Sequence, residues 1–200
     1  MISALREIAR IFANVAAEED AFLKRTCGEG IFFVPELAYA YACGKAVMVD
    51  SERIFGATSI AWKGEVDLGL GGPSHLVFEL ASNYRIVVEF KMRDTLASYV
   101  KDIRKLNRLT DSQTARIFCV LADPFSDETS DRRVAQVEAE AGCKVTPLLH
   151  PFPRFPTKQE RYGGEISCLV AAWSVGAAPA WPIRARTRSI PAAESLEFSS

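Results

Sequence analysis

Residues 64–109 read GEVDLGLGGPSHLVFELASNYRIVVEFKMRDTLASYVKDIRKLNRL. Residues 85–92 of this stretch are rich in β-branched and aromatic side chains, and turn-forming Ser82-Asn83 and Arg93-Asp94 bound them, so a strand is expected there. Side chains alternate along a strand, which places Ile86, Val88, Phe90 and Met92 on one face and Val87, Glu89 and Lys91 on the other. Residues 65–70 repeat the alternation, with Val66, Leu68 and Leu70 opposed to Glu65, Asp67 and Gly69. If both segments belong to one sheet, Asp67, Glu89 and Lys91 can converge on one patch. Such a patch suits a divalent cation, because carboxylate oxygens are its natural ligands and a nearby lysine can hold or activate a water. The plainer reading is a cross-strand salt bridge between Glu89 and Lys91 on a solvated sheet face.

After residue 95 the apolar period changes from two to 3.6, with Leu96, Val100, Ile103 and Leu106 forming the inner stripe of a helix over 95–109. Lys101, Arg104, Lys105 and Arg108 then fall on one continuous basic face. By default that is a solvated face. Directly after the acidic patch, it is also a candidate for phosphate contact. Tyr99 reads as a core-edge tyrosine near the start of this helix.

Upstream, spaced apolar residues predict a helix over 3–24 with Ser3 as its cap, followed by a glycine-bearing break at 26–30. Pro35 suits the first position of a second helix, to about residue 49, which is apolar almost all round apart from Glu36 and Lys45. Residues 50–63 read as a connector with a short strand at 58–62, and 75–80 as an added strand. Downstream, 116–122 is a buried strand and 131–141 a helix ended by Gly142. Further strands are expected at 144–149 and 165–174, with the proline-rich 150–156 a loop between them. The composition shifts to Ala, Pro, Arg and Ser after Gly176, and a poorly packed tail is expected from about 179 to 200. One α/β domain over 1–178 follows, with its core at about 35–175 and a central mixed sheet flanked by helices on both faces.

A helix bearing Glu36, a strand bearing Asp67, a strand bearing Glu89-x-Lys91, a helix and a buried strand follow in that order. In this the chain resembles the PD-(D/E)xK phosphodiesterase superfamily, the restriction-endonuclease-like proteins, over roughly residues 35–122. It departs from their pattern at Val66, where a proline often precedes the aspartate, and in a long interval from Asp67 to Glu89. The resemblance implies Mg²⁺- or Mn²⁺-dependent hydrolysis of phosphodiester bonds, with DNA as the first expectation. Asp67, Glu89 and the backbone carbonyl of Phe90 would be metal ligands. Lys91 would orient the attacking water and offset charge on the phosphate. Glu36 would support the metal directly or through water, although a carboxylate in a first helical turn also complements the helix dipole. The rival expectation is a binding or scaffolding protein that keeps the fold without turnover.

The chain has 200 residues and a net charge of −1, so any nucleic-acid surface must be local. Its five scattered cysteines form no CxxC or Cys/His cluster, which points to reduced thiols and against structural zinc. Arg6, Glu7 and Arg10 interrupt what would be a signal peptide's apolar region, and no apolar run reaches membrane-spanning length, so a cytoplasmic protein is expected. Gly44-Lys45 lacks the earlier glycine of a phosphate-binding loop, and Ser74 lacks the second glycine of a nucleophile elbow. His75 and His150 are the only histidines and read as loop or strand-end residues. No separate recognition domain is visible, so site specificity would come from loops, the tail, a second copy or a partner protein.

Overall fold

A computed structural model describes residues 2–56, 59–80, 83–128, 130–159, 166–177 and 179. Its centre is a mixed, open, seven-stranded sheet: β1 (Ile60–Val66), β2 (Ser74–Leu80), β3 (Arg85–Met92), β4 (Thr114–Ala122), β5 (Val145–Pro147), β6 (Arg154–Thr157) and β7 (Ile166–Val175). The order is β1-β2-β3-β4-β7-β5, with β6 also on β7. The first three strands form an antiparallel meander, and β3 and β4 are parallel. A parallel pair needs a crossover, which α4 (Leu96–Asn107) supplies.

Alternation along β3 divides the core as expected. Ile86, Val88 and Phe90 join the apolar layer under α1 (Ile2–Thr26), α2 (Glu36–Val49) and α3 (Ser51–Phe55). Val87 joins the opposite layer, where Tyr99, Ile103 and Leu106 of α4 meet Val134 and Val137 of α5 (Arg132–Glu140). Helices therefore cover both faces. α2 buries Tyr39, Ala40, Cys43, Gly44 and Val47 against α1 and the sheet, while Ala38, Tyr41, Lys45 and Val49 are exposed, so it is less enclosed than its apolar sequence suggests. Tyr39 donates its hydroxyl to the Phe12 carbonyl at 2.8 Å, and a Cβ on Gly44 would stand 2.6 Å from the Trp62 ring.

Several boundaries differ from expectation. The strand expected at 65–70 ends at Val66, because Gly69, Gly71 and Gly72 adopt positive φ and the Asp67 carboxylate accepts from Gly69 N–H at 2.8 Å. Residues 67–73 are thus a loop. The extra strand at 75–80 is real and separates β1 from β3. α1 begins at Ile2, so Ser3 is not its cap, and the 150–156 loop contains the start of β6. The expected tail lies outside the described residues except at 179. All five cysteines are free thiols. No helix among the described residues is long and apolar enough to cross a membrane.

Candidate functional site

The β2–β3 ladder runs from Glu79↔Arg85 to Leu76↔Val88 and stops there. Beyond it β2 stays paired to β1 through Ser74↔Val66, so the sheet parts between β2 and β3. Side chains take over the ladder donors on β3. Phe90 N–H points at His75 Nδ1 at 3.1 Å, and Met92 N–H donates to Glu36 Oε2 at 2.7 Å. The Phe90 carbonyl leaves the strand on the edge of its own N–H, so it too faces the gap. Glu36, in the first turn of α2, thereby reaches the end of β3 instead of merely facing its own helix dipole.

A chain of charges spans the gap. His75 Nε2 lies 3.3 Å from Glu36 Oε1, and Nδ1 lies 3.1 Å from Glu89 Oε2. The other Glu89 oxygen, Oε1, meets Lys105 Nζ at 2.6 Å. That contact is an ion pair without the alignment of a hydrogen bond, since Oε1 has no hydrogen-bond partner. Lys91 Nζ turns to Asp102 Oδ2 on α4 at 3.3 Å. Glu89 is 1% exposed, so its charge persists only through these partners.

The protonation states follow from the same contacts. Burial raises the Glu89 carboxyl, but His75, Lys105 and Ser74 together outweigh it and bring its pKa below the usual value. For His75, burial opposes the charged ring, while Glu36 and Glu89 prevail and lift its pKa to about 9. Two carboxylates beside the ring thus favour the imidazolium, in which Nδ1–H is a donor toward Glu89 and cannot accept from Phe90 N–H. Burial also opposes the Lys91 ammonium, yet Asp102, Glu36 and Asp94 raise its pKa. Asp102 is raised by burial, which Lys91 offsets only in part.

A stability profile tests this network. His75 has a folded pKa above its ordinary value of 6.5, so its stabilisation is complete below 6.5 and is lost as pH rises through about 9. Glu89 has the opposite sign: its contribution is present above 4.5 and disappears as pH falls through the lowered value. Between pH 6.5 and 9 the wild-type chain should lose stability on the order of a few kcal/mol. Chemical denaturation of His75→Ala across that window should lack this slope, and an equal slope in both proteins would exclude the imidazolium.

Asp67 stands apart from the network. It is exposed at the end of β1, β2 intervenes between it and Glu89, and its carboxylate holds the 67–73 loop through Gly69. The sheet brings Glu89, Lys91 and Glu36 to one place but leaves Asp67 out. Sequence reasoning missed His75 and Asp102. The antiparallel pairing of β2 with β3 brings His75 to the Glu89 end of β3, one residue beyond the last pair Leu76↔Val88. Asp102 lies three residues before Lys105 on α4 and shares its inward edge.

The basic face is divided as well. Lys105 turns inward, donating to the Pro73 carbonyl at 2.6 Å besides its contact with Glu89. Arg108 donates to the Leu70 carbonyl, and Arg104 reaches the Glu140 and Ala141 carbonyls at the end of α5. Lys101, Arg104, Lys105 and Arg108 nevertheless line one groove of about 690 Å³ along α4.

As the side chains stand, a divalent ion does not fit. Both oxygens of Glu36 and both of Glu89 face a donor or a cation, and Asp67 is elsewhere. No group of three or more His, Cys, Asp or Glu side chains among the described residues is arranged to hold a metal. The site can therefore present ammonium groups to an anion and hold carboxylates beside them. No family model, curated protein or solved structure matches the chain.

Proposed function

We propose that this chain is a nuclease of the restriction-endonuclease-like kind, hydrolysing phosphodiester bonds in DNA with Mg²⁺ or Mn²⁺. The observation that carries the reading is where Glu36, Glu89 and Lys91 meet: at the point where β2 and β3 part, within a helix–three-strand meander–helix–parallel strand order. A parted sheet edge admits a ligand without breaking a ladder hydrogen bond. Lys91, on the Glu89 face of β3, is the group to meet a phosphate there, with Asp102 restraining its position. The groove along α4 supplies the backbone contacts. A cleavage assay on single- and double-stranded DNA and on RNA, with Mg²⁺, Mn²⁺ or EDTA, tests the reading. Metal-dependent cutting of DNA is expected, and no cutting of any substrate would contradict it.

The second reading is a domain that binds nucleic acid without turnover. It is favoured by the closure of the charge network, in which each carboxylate of the gap already has a cationic partner. The two readings share the basic groove. Neutralising Lys101, Arg104 and Arg108 together should weaken duplex-DNA binding and lower its log–log salt slope by about 2 to 3, since fewer counterions are released. Lys105 is left intact in this variant because it holds Glu89. An unchanged slope in fluorescence-anisotropy titrations would return these residues to a solvated face.

A further inference from the structure

We propose that the His75 ring takes the place of a cation between Glu36 and Glu89, so that it competes with divalent ions for this carboxylate pair. The inference rests on the carboxylates of the reading above but not on turnover. Glu36 Oε1 and Glu89 Oε2 are the two oxygens that face each other across the gap, and the ring lies between them at 3.3 and 3.1 Å. The remaining oxygens point away, to Met92 N–H and to Lys105. The His75 side chain is mostly buried, at 21% exposure, which makes it part of the wall. The ring contacts the same two carboxylates that a metal ion would use.

The competition has a geometric consequence. Removing the ring leaves two carboxylates of like charge side by side, Glu89 buried and Glu36 about a quarter exposed, and a small dication is the natural replacement. His75 Nδ1 already lies 3.1 Å from Glu89 Oε2, so position 75 is within side-chain reach of that carboxylate. A carboxylate at position 75 would therefore share an ion with Glu89 without any movement of Glu36. Lys105 would stay as a neutralising neighbour on the far oxygen.

Isothermal titration with Mn²⁺ alone, without nucleic acid, tests this on the full chain. Wild type should bind weakly, His75→Ala at least 10-fold more tightly, and His75→Asp more tightly again. Adding Glu89→Gln to either variant should remove the gain. Melts in parallel should show Mn²⁺ raising the Tm of both variants while leaving wild type nearly unchanged, and His75→Gln, close to histidine in size, serves if His75→Ala fails to fold. Equal Mn²⁺ affinity in wild type and the folded variants would overturn the proposal, as would a gain that survives Glu89→Gln. Tighter metal binding with no cleavage by any form would sink the nuclease reading and leave this one standing. Cleavage by wild type with metal affinity unchanged across the variants would do the reverse.

Discussion

Glu89→Ala should destabilise the folded chain by about 3 kcal/mol, the lower end of the range for breaking a buried ion pair. The carboxylate is 1% exposed and pairs with both His75 and Lys105, of which His75 also meets Glu36. Its removal leaves the Lys105 ammonium without a carboxylate partner and the His75 ring with Glu36 alone. Lys105 can regain solvent through its long stem and keeps the Pro73 carbonyl, which holds the loss to the lower end. In a chain of 200 residues this corresponds to a fall in Tm of roughly 6–12 °C. Glu89→Gln keeps the shape and one acceptor, so it should lose less. Reversible thermal or denaturant melts decide, and an alanine variant within about 1 °C of wild type would mean that the pairs contribute nothing.

Lys91→Ala should lower DNA hydrolysis by on the order of 10²-fold, the scale of removing one preorganised charge-stabilising donor. Binding of uncut DNA should change much less, because the interaction is needed when charge builds on the phosphate in the transition state. Stability has a separate sign. Strand alternation alone makes Lys91 a polar residue on a solvated face, with little to lose. Asp102 at 3.3 Å changes that, since it would be left half-buried without its cation. Its raised carboxyl can take up a proton, so the loss stays on the order of 1 kcal/mol. The measurement pairs single-turnover cleavage with equilibrium binding and melts of the same preparations. A fall in binding as large as the fall in cleavage would make Lys91 a docking residue.

Local pattern made much of this molecule legible. β3 has the expected bounds of residues 85–92, and its two faces divide the core as the alternation requires, because both faces are covered and register is strongly specified. α4 and α5 follow their apolar period closely, at Leu96–Asn107 and Arg132–Glu140. The site was legible only along single elements. Glu89 and Lys91 share a face, as two residues on one strand must, but their partners come from other elements. Alternation in the sequence over residues 65–70 makes Asp67 a member of the patch. Three glycines with positive φ ended that strand, and the intervening β2 then put His75 opposite Glu89. Lys105 was grouped with an outward stripe because helical spacing does not reveal which edge residue finds a buried counter-charge. The 2.6 Å contact to Glu89 comes from α4 crossing β3, which depends on tertiary packing.

That the parting between β2 and β3 is the place of chemistry can be tested most directly by anomalous scattering from crystals grown with Mn²⁺ at a concentration that supports cleavage. A Mn²⁺ peak is predicted in contact with the carboxylates of Glu36 and Glu89, with the His75 ring displaced from between them. A Mn²⁺ peak at Asp67 or elsewhere, with His75 still bridging the two carboxylates, would contradict it.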